Sequence, residues 1–350
     1  MSRETAIHSY NLCLLGFGNV NRTLVRLLVD REPALRARGI AWRITGIASR
    51  RLGWIADPNG LDPKLLCCKI PAAPGNFPTS ASVSTDVREW LHAANADVLF
   101  EATSLNVENG EPAVDHIRAV LEHGGHAITA NKGPIVHAYE ELRSLATAKG
   151  KRFLFESTVM DGIPIFSTFR ENLPTVRVKG FRGILNSTTN VILGEMERGL
   201  SFEAALAKAR DLGVAETDAT HDLDGWDAAV KVAALVIVVM GEKIKLSDVQ
   251  RTGITCLTGE QVCSARAAGT PYKLVCRAQR TLTGVAAKVA PEQIPLTDPL
   301  AWVAGTSSIV YFETDVFPGL CITENNPGLY ATAYGMLADF VKAVETSPKT

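Results

Sequence analysis

The sequence predicts an α/β protein that begins with a parallel sheet and continues into a second domain of mixed structure. Over residues 1–155, short apolar runs alternate with amphipathic helical patterns, as in βαβ units. A glycine-rich turn follows the first apolar run directly. Beyond residue 160, strands with alternating polar and apolar residues appear. These three observations predict a doubly wound parallel sheet followed by a mixed α/β domain.

The elements of the first domain follow one another in order. Asn11–Gly16 (NLCLLG) indicates a buried strand that ends in glycine, and the apolar stripe from Val20 to Arg38 indicates a helix broken by Pro33. Further strands are predicted at Trp42–Ala48, Asp97–Thr103, His126–Ala130 and Arg152–Glu156, and helices at Asp86–Ala94, from Pro112 to Gly124 and at Ala138–Lys149. Residues 57–80 are rich in Pro, Gly and Asn, which predicts an irregular excursion.

The second half has longer helical patterns. Arg177–Asn186 alternates like an antiparallel strand. Ser201 is expected to cap a helix that Gly213 closes, and Trp226–Met240 predicts a long apolar helix. Two more strands are predicted around Gly284–Ala290 and at Ser308–Thr314, and a last helix at Thr332–Val344.

Composition and charge exclude several classes of protein. The 36 basic and 37 acidic residues among 350 nearly balance, which argues against a nucleic-acid-coating protein. The longest apolar run, Val232–Met240, has roughly half of the ~20 residues that a bilayer span needs, and the N-terminus carries no secretion signal. The seven cysteines lack CxxC spacing, which favours reduced thiols. We therefore expect a soluble cytoplasmic protein with no membrane span and no nucleic-acid partner.

The turn after the first strand has the context of a dinucleotide fingerprint. It contains Gly16, Phe17, Gly18, Asn19 and Val20 between a strand and a helix. There the first glycine permits a tight turn, and the second lets backbone N–H groups approach a pyrophosphate. An ordinary strand-to-helix turn is the alternative. The third fingerprint position, usually Gly or Ala, is Asn21, which is expected to loosen the contact between helix and strand.

Two cationic positions follow predicted strands of the first domain. Arg50 and Arg51 come after the second strand, where a cationic pair suits the 2′-phosphate of NADP rather than NAD. Two solvated surface arginines are the alternative. Lys132, in TANKGP, lies just past a later strand and so at the edge where open parallel sheets bind ligands, although a surface lysine is the simpler interpretation.

The densest group of charged residues lies between residues 213 and 231. Asp227 and Lys231 are four residues apart and therefore share one helical face. The apolar run after Lys231 favours its partial burial, and a desolvated lysine beside carboxylates can transfer a proton. A solvated salt bridge is the alternative, whereas a calcium loop fails because Lys231 would replace its closing Glu. A second segment, from Glu156 to Pro164, could offer oxygens to a hard cation or be a plain domain junction.

Taken together, these motifs resemble the homoserine dehydrogenase family over residues 11–342. The matching motifs, in the family's order, are GFGNVN, EATS, TANKGP, ESTVMDGIP, GILNSTTN, GVAETDATHDLDGWDAAVK and GLYATAYGMLAD. The resemblance implies NAD(P)-linked interconversion of L-homoserine and L-aspartate 4-semialdehyde in threonine and methionine biosynthesis. Another small amino or hydroxy acid as substrate, or a catalytically silent nucleotide-binding relative, are the alternatives.

The resemblance also implies a role for each matching residue. Lys231 would be the general acid/base, Asp227 would help to position both the substrate and Lys231, and Lys132 would bridge the cofactor and the reacting oxygen. Glu216, Asp222 and Thr188 would hold the amino acid, and Thr103, Ser104 and Gly328 would line the cofactor. A sodium ion would bind Glu156 and the backbone carbonyls of Val159, Asp161 and Ile163.

The family's architecture implies three parts. A Rossmann-type cofactor domain would span residues 1–155, a catalytic and dimerisation domain residues 156–318, and a segment returning to the first domain residues 319–350. The active form would be a homodimer. The sequence ends at Thr350, so we expect no regulatory ACT domain and no threonine feedback through one. Ser187, which replaces a frequent Gly in the loop expected from GILNSTTN, predicts a slightly smaller or more polar pocket.

Overall fold

The chain divides into two compact units. The computed structural model describes residues 7–67, 82–84 and 86–345. The first unit comprises Met1–Pro164 and Gly328–Thr350, and the second comprises Ile165–Pro327. Within the described ranges, no helix combines the length and the apolar character needed to cross a bilayer.

The first unit contains a mainly parallel sheet, seven-stranded in the described residues. Its strands are β1 (His8–Leu15), β2 (Ile40–Ser49), β3 (Gly53–Leu61), β4 (Ser82–Ser84), β5 (Val98–Glu101), β6 (His126–Thr129) and β7 (Phe153–Leu154). Their spatial order is β4-β3-β2-β1-β5-β6-β7. The five strands from β2 to β7 in this order run parallel, which confirms the predicted sheet, whereas β3 and β4 are antiparallel additions at one edge.

Part of the predicted irregular excursion is wrong. Residues 57–61 are the last part of β3: Leu61 pairs with Ile44 of β2, and Pro58 and Gly60 lie where the register between the two strands shifts. Residues 63–67 form a short helix. Residues 68–80 of the excursion lie outside the described ranges.

Helices separate the strands of the first unit much as the sequence predicts. They are α1 (Asn19–Asp30), α2 (Glu32–Ala37), α3 (Pro63–Cys67), α4 (Val87–Ala93), α5 (Ala113–His123) and α6 (Gly133–Ala148). The main difference is that α6 begins five residues before the predicted Ala138, because Pro134 suits a first helical turn; Ala138 instead marks a kink. The predicted strand Arg152–Glu156 shrinks to β7, since Glu156–Thr158 and Met160–Gly162 are 3₁₀ turns.

The second unit is built on a mixed sheet, six-stranded in the described residues. Its strands are β8 (Val178–Ile184), β9 (Gln250–Arg251), β10 (Tyr272–Thr281), β11 (Gly284–Gln293), β12 (Ser308–Thr314) and β13 (Leu320–Glu324), in the order β13-β12-β8-β10-β11-β9. Neighbours are antiparallel except β11 and β9. The helices are α7 (Ile165–Ser167), α8 (Ser187–Met196), α9 (Phe202–Asp211), α10 (Thr220–Leu223), α11 (Trp226–Leu235) and α12 (Gly259–Ala267). The predicted helix to Met240 is confirmed, with Val236–Met240 as a π-helical continuation of α11.

The last helix, α13 (Leu329–Val344), belongs to the first unit. It buries Met336, Leu337 and Phe340 in that unit's core. The ring of Phe340 meets Tyr10 and Phe100 edge-on, with centroids 6.0 and 5.9 Å away. The end of the chain therefore completes the core beneath the parallel sheet, as the return helix implies.

Candidate active site

The turn between β1 and α1 requires glycine at its first position. Gly16 has φ +77°, and a Cβ there would lie 2.4 Å from the carbonyl oxygen of Ala102. The N–H groups of Gly16 and Phe17 both donate to the carbonyl oxygen of Ala48, at 2.9 and 3.0 Å. The turn is thereby fixed against the ends of the two strands that flank β1.

Asn21 ties this turn together, which corrects the expected loosening. Its side chain is fully buried, and Nδ2 donates to the carbonyl oxygens of Leu15 and Gly16 at 2.9 and 3.2 Å. Oδ1 is also buried and has no hydrogen-bond partner in the described part of the chain. The amide thus takes over the contact between strand and helix that a small residue makes by close approach.

The start of α1 is uncapped and unobstructed, as an anion site at a helix N-terminus requires. Gly18 is the N-cap residue, no side chain caps the helix, and the first turn carries no acidic residue. A Cβ on Gly18 would meet nothing closer than 3.9 Å, so the backbone is open to a ligand. The N–H groups of Asn19 and Val20, in the first turn, lack intrahelical acceptors by helix geometry and lie at the positive end of the helix dipole.

A buried carboxylate organises the ends of β5 and β6, and sequence reasoning missed it. Glu101 is fully buried and accepts hydrogen bonds from Thr103 N at 2.8 Å, from the Thr103 hydroxyl, and from Thr129 Oγ1 at 2.6 Å. Burial raises the pKa of Glu101. Glu101 is the first residue of the motif EATS, but the sequence does not indicate that its side chain is buried, because the burial depends on the pairing of β5 with β6.

Asn131, also missed, extends this network to the loop that carries Lys132. Its Nδ2 donates to the carbonyl oxygens of Thr103 and Ser104 at 3.2 and 3.3 Å, while its Oδ1 accepts from Gly133 N at 2.9 Å. Lys132 is the N-cap residue of α6. The structure therefore brings Thr103, Ser104 and Lys132 to one edge of the sheet.

The other predicted cofactor residues lie at exposed positions of the first unit. Arg50 and Arg51 form the turn between β2 and β3, at the carboxyl end of β2. Gly328 is the N-cap residue of α13, and a Cβ there would meet nothing within 4 Å.

In the second unit, Lys231 and Asp227 form the predicted pair on α11. Lys231 Nζ lies 2.9 Å from Asp227 Oδ2 and donates to the carbonyl oxygen of Leu185 at 2.6 Å. The two side chains are 17% and 20% exposed, so they are partly desolvated but accessible to a ligand. The start of α11 is held by Arg251, whose guanidinium lies 3.8 Å from the centroid of the Trp226 ring.

Asn186 joins this pair to a second carboxylate. Its Nδ2 donates to Asp222 Oδ1 at 2.7 Å and to Asp227 Oδ2 at 3.1 Å. Thr188 Oγ1 donates to Asp222 Oδ2 at 2.9 Å. The structure therefore brings together four predicted residues, namely Lys231, Asp227, Asp222 and Thr188. Glu216 is exposed on the connection between α9 and α10 and takes no part in these hydrogen bonds.

Asn186 also corrects the expectation that GILNSTTN is a loop. Its Oδ1 accepts from Thr189 N at 2.9 Å and caps α8, which starts at Ser187. Ser187 Oγ donates to the carbonyl oxygen of Thr306 at 3.0 Å instead of lining an open loop. An Asn before an apolar segment is a helix-start signal, so the sequence contained the information needed to identify it.

The segment proposed for sodium is tied to α13. Glu156 is 4% exposed, and its backbone N–H donates to Asp339 Oδ2 at 2.7 Å. Asp161 Oδ1 accepts from Thr332 Oγ1 at 2.9 Å, and Met160 and Asp161 both have positive φ. No group of three or more His, Cys, Asp or Glu side chains suited to a metal occurs in the described ranges, so a cation here would depend on backbone carbonyls.

Comparisons with known proteins place the chain in a family. The family model "Homoserine dehydrogenase" matches residues 164–341, and "Homoserine dehydrogenase, NAD binding domain" matches residues 16–156. The chain belongs to the homoserine dehydrogenase family. It is 33% identical to the NAD(+)-dependent homoserine dehydrogenase of Pseudomonas canavaninivorans over 95% of both chains. It is 32% identical to the homoserine dehydrogenase of Methanocaldococcus jannaschii over 97% of this chain and 100% of that one.

Solved homoserine dehydrogenases share the fold. One from Thiobacillus denitrificans has a TM-score of 0.81 and 29% identity, covering 97% of this chain and 74% of its own. A hyperthermophilic archaeal homoserine dehydrogenase in complex with NADPH has a TM-score of 0.80 and 26% identity, over 96% and 98%. The chain is therefore an NAD(P)-dependent oxidoreductase with a small-molecule substrate, and neither alternative function is favoured.

Proposed function

We propose that Lys231 is the general acid/base in the interconversion of L-homoserine and L-aspartate 4-semialdehyde. The observation that carries this proposal is the position of Nζ, 2.9 Å from Asp227 Oδ2 and 2.6 Å from the carbonyl oxygen of Leu185. Two contacts from different elements fix where the ammonium lies. A partly buried acid with a fixed position is what proton transfer to a bound substrate requires.

Lys231 moves a proton at the reacting oxygen in both directions. During reduction its ammonium donates a proton to the oxygen as negative charge develops there, and during oxidation the neutral amine accepts the hydroxyl proton. Asp227 stabilises the charged form and keeps the side chain in place. The bound nicotinamide supplies or accepts the hydride, and the residues at the start of α1 would hold its pyrophosphate.

The carboxylates around Asn186 would hold the amino-acid end of the substrate. Asp222 keeps lone pairs available beyond its contacts with Asn186 and Thr188, because each carboxylate oxygen can accept two hydrogen bonds. A cationic α-amino group is the complementary partner, with Glu216 adding negative charge from the exposed connection. Lys132 would contact both the cofactor and the substrate oxygen.

Replacing Lys231 with Ala tests the acid/base role. We expect kcat to fall by roughly 10²- to 10⁴-fold and the dependence of kcat on pH to flatten, while NADPH still binds with its normal affinity. The exposed Lys243→Ala variant is the matched control and should be indistinguishable from the parent. Near-normal turnover in folded Lys231→Ala protein would refute the assignment.

We also propose that Arg50 and Arg51 give a preference for NADP. Their exposed position at the carboxyl end of β2 supports this role. Replacing both with Ala should lower kcat/KM with NADP by about tenfold or more and leave kcat/KM with NAD unchanged, because charge-assisted contacts to a 2′-phosphate are lost. Arg31→Ala, an exposed position at the end of α1, is the control. Equal losses with both cofactors would contradict the proposal.

A sodium ion at Glu156 and the carbonyls of Val159, Asp161 and Ile163 remains a proposal. The buried Glu156 carboxylate and the tight turn at Met160–Gly162 fit an oxygen-coordinated cation. Titrating NaCl into protein in choline chloride should release or absorb heat, and Glu156→Gln should abolish that signal. Glu140→Gln, on the exposed face of α6, should preserve it. An identical signal in the Glu156→Gln variant would exclude the site.

We propose a homodimer as the active form. Three apolar side chains of the second unit, Leu282, Val316 and Phe317, are exposed, and a second copy of the chain would cover them. Light scattering on purified protein should give twice the mass of one chain. A single-chain mass at micromolar concentration would rule out this proposal.

The functional division and the location are likewise proposals. We assign cofactor binding to residues 1–155, catalysis and dimerisation to 156–318, and completion of the cofactor domain to 319–350. The boundaries between the two structural units lie nearby, at 164/165 and 327/328. The free thiols of all described cysteines support a reducing cytoplasmic location. Fractionation of cells should recover the protein with cytoplasmic markers.

A further inference from the structure

The second unit contains a pocket of about 600 Å³ beside α8, separate from the acid/base cluster. One wall is the face of α8 that carries Asn190, Val191 and Gly194. The opposite wall is the chain around Val303. Asn186, Thr188 and the acid/base pair do not line it. Its volume falls in the range of roughly 300–1,000 Å³ typical of small-molecule sites.

A buried lysine that forms no direct ion pair among the described residues lies in this pocket. Lys273, on β10, is 4% exposed, and its Nζ donates to Asn190 Oδ1 at 3.1 Å and to the carbonyl oxygen of Val303 at 2.7 Å. Across the described residues, no carboxylate lies within ion-pair distance of it. Both acceptors are neutral and an ammonium has three donors, so one N–H remains for an anion. Burial lowers the pKa of Lys273, whereas the Glu197 carboxylate, beyond ion-pair distance, favours the charged form.

A carboxylate oxygen in the same pocket lacks a donor. Glu197 Oε2 lies 3.7 Å from Arg266 Nε, whereas Oε1 is buried with no hydrogen-bond partner among the described residues. A buried acceptor without a donor costs free energy, which a ligand N–H would recover. The pocket therefore offers an unused donor on a cation and an unused acceptor on an anion.

Two exposed apolar side chains lie at the pocket, beside the cationic Arg198 and Arg266. Leu212 and Trp302 both line it, and they are 60% and 68% exposed. Large apolar side chains with that much exposure beside a cavity favour an apolar ligand group.

We propose that this pocket binds an α-amino acid with an apolar side chain. Its carboxylate would accept from Lys273, its ammonium would donate to Glu197 Oε1, and its side chain would lie against Leu212 and Trp302. This zwitterion satisfies both buried groups at once, which neither a simple carboxylate nor a simple amine does. The pocket shares no lining residue with the proposed acid/base cluster, although Thr188 Oγ1 donates to the carbonyl oxygen of the lining residue Val214 at 3.1 Å.

Calorimetric titration of the full chain with three probes tests the proposal. L-leucine has all three groups, 4-methylpentanoate lacks the ammonium, and 3-methylbutylamine lacks the carboxylate. We expect L-leucine to bind and each analogue to bind at least about tenfold more weakly. Lys273→Met and Glu197→Gln should each weaken L-leucine binding by about tenfold or more, whereas the exposed Lys179→Met control should not.

Several results would overturn the proposal. They are no heat with L-leucine, unchanged affinity in the Lys273→Met or Glu197→Gln variant, and equal affinity for 4-methylpentanoate. Competition between L-leucine and homoserine for one site would also overturn it, because the ligand would then lie among the substrate carboxylates. If the Lys273→Met variant does not fold, the affinity of the Glu197→Gln variant for L-leucine tests the proposal by itself. Gln is isosteric with Glu, and this side chain lies at the pocket wall.

Discussion

The two units present their ligand-facing residues by different means. At the edge of the first unit's sheet the backbone defines the site: Gly16 has no room for a Cβ, and Asn21 and Glu101 are fully buried. In the second unit, Lys231 and Asp227 are partly exposed and contact each other directly. The proposed cofactor site is thus defined by the shape of the backbone, whereas the proposed acid/base site is defined by the arrangement of charged groups. Substitutions should reveal this difference. An added methyl group should be enough to disrupt the turn at Gly16, whereas the site around Lys231 and Asp227 should be weakened only when a hydrogen-bond donor or a charge is removed.

The largest effect is expected from Gly16→Ala. Its Cβ would meet the Ala102 carbonyl at 2.4 Å in a left-handed conformation, so the free energy of unfolding should fall by about 3 kcal/mol and NADPH binding should be lost. Gly150→Ala shares the left-handed conformation, with φ +63°, but meets no atom within 4 Å, and should cost about 1 kcal/mol. Urea unfolding measures both. Equal losses would show that backbone strain alone, not the close approach to β5, explains the glycine.

Asn186→Ser should separate catalysis from folding in the second unit. Ser caps a helix about as well as Asn, so α8 should persist, but the donor to Asp222 and Asp227 is removed. We expect kcat/KM for homoserine to fall roughly thirtyfold, since hydrogen bonds to charged groups contribute about 1.5–3 kcal/mol. Steady-state kinetics and thermal unfolding give the two readouts. An unchanged kcat/KM in stable protein would mean that the hydrogen bonds from Asn186 to Asp222 and Asp227 are not needed for activity.

Asn21→Ala measures the amide that replaces a small residue at the turn. Loss of the bonds to Leu15 and Gly16 should lower the free energy of unfolding by about 1 kcal/mol and weaken NADPH binding several-fold. Asn11→Ala is the matched control, because Asn11 is also buried, donates to the Asn95 carbonyl at 2.8 Å and has a partnerless Oδ1. That variant should lose stability and keep NADPH affinity. Tighter NADPH binding in Asn21→Ala would revive the view that Asn21 loosens the turn.

The smallest effect is a pH dependence from Glu101. Burial raises its pKa in the folded chain above the unfolded value, so its contribution to stability is complete below about pH 4.3 and is lost as pH rises through the folded pKa. The stability of the parent relative to Glu101→Gln should therefore decline as pH increases from 4.5 to 8. Urea unfolding at several pH values tests this. A relative stability that rises with pH would mean that the donors from Thr103 and Thr129 outweigh burial.

Local signals in the sequence predicted the elements whose causes are local. The glycine turn before α1, the Ser201 cap and the spacing of Asp227 and Lys231 each depend on neighbours along the chain, and each is present. Glu101 and Asn131 could not be found in that way. Their roles depend on partners about 28 residues away that only the pairing of β5 with β6 brings close.

Other errors have an equally physical origin. The loop expected at GILNSTTN follows from the family resemblance, and the segment after Asn186 also contains the β-branched residues Val191 and Ile192, which lower helix propensity. The cap and burial override that preference. Strand β9 has only two residues, too few to give a periodic pattern, and exists through its pairing with β11.

The place of α13 in the first unit has a consequence for synthesis on the ribosome. Residues up to Pro164 emerge early, yet the core that they form is complete only when Met336 and Phe340 arrive. At roughly 5–20 residues per second, that interval is about 9 to 35 seconds. The contiguous second unit, Ile165–Pro327, can close in the meantime. The half of the molecule that is translated first is therefore the half that finishes folding last, and its apolar sheet face is open to chaperones until α13 covers it.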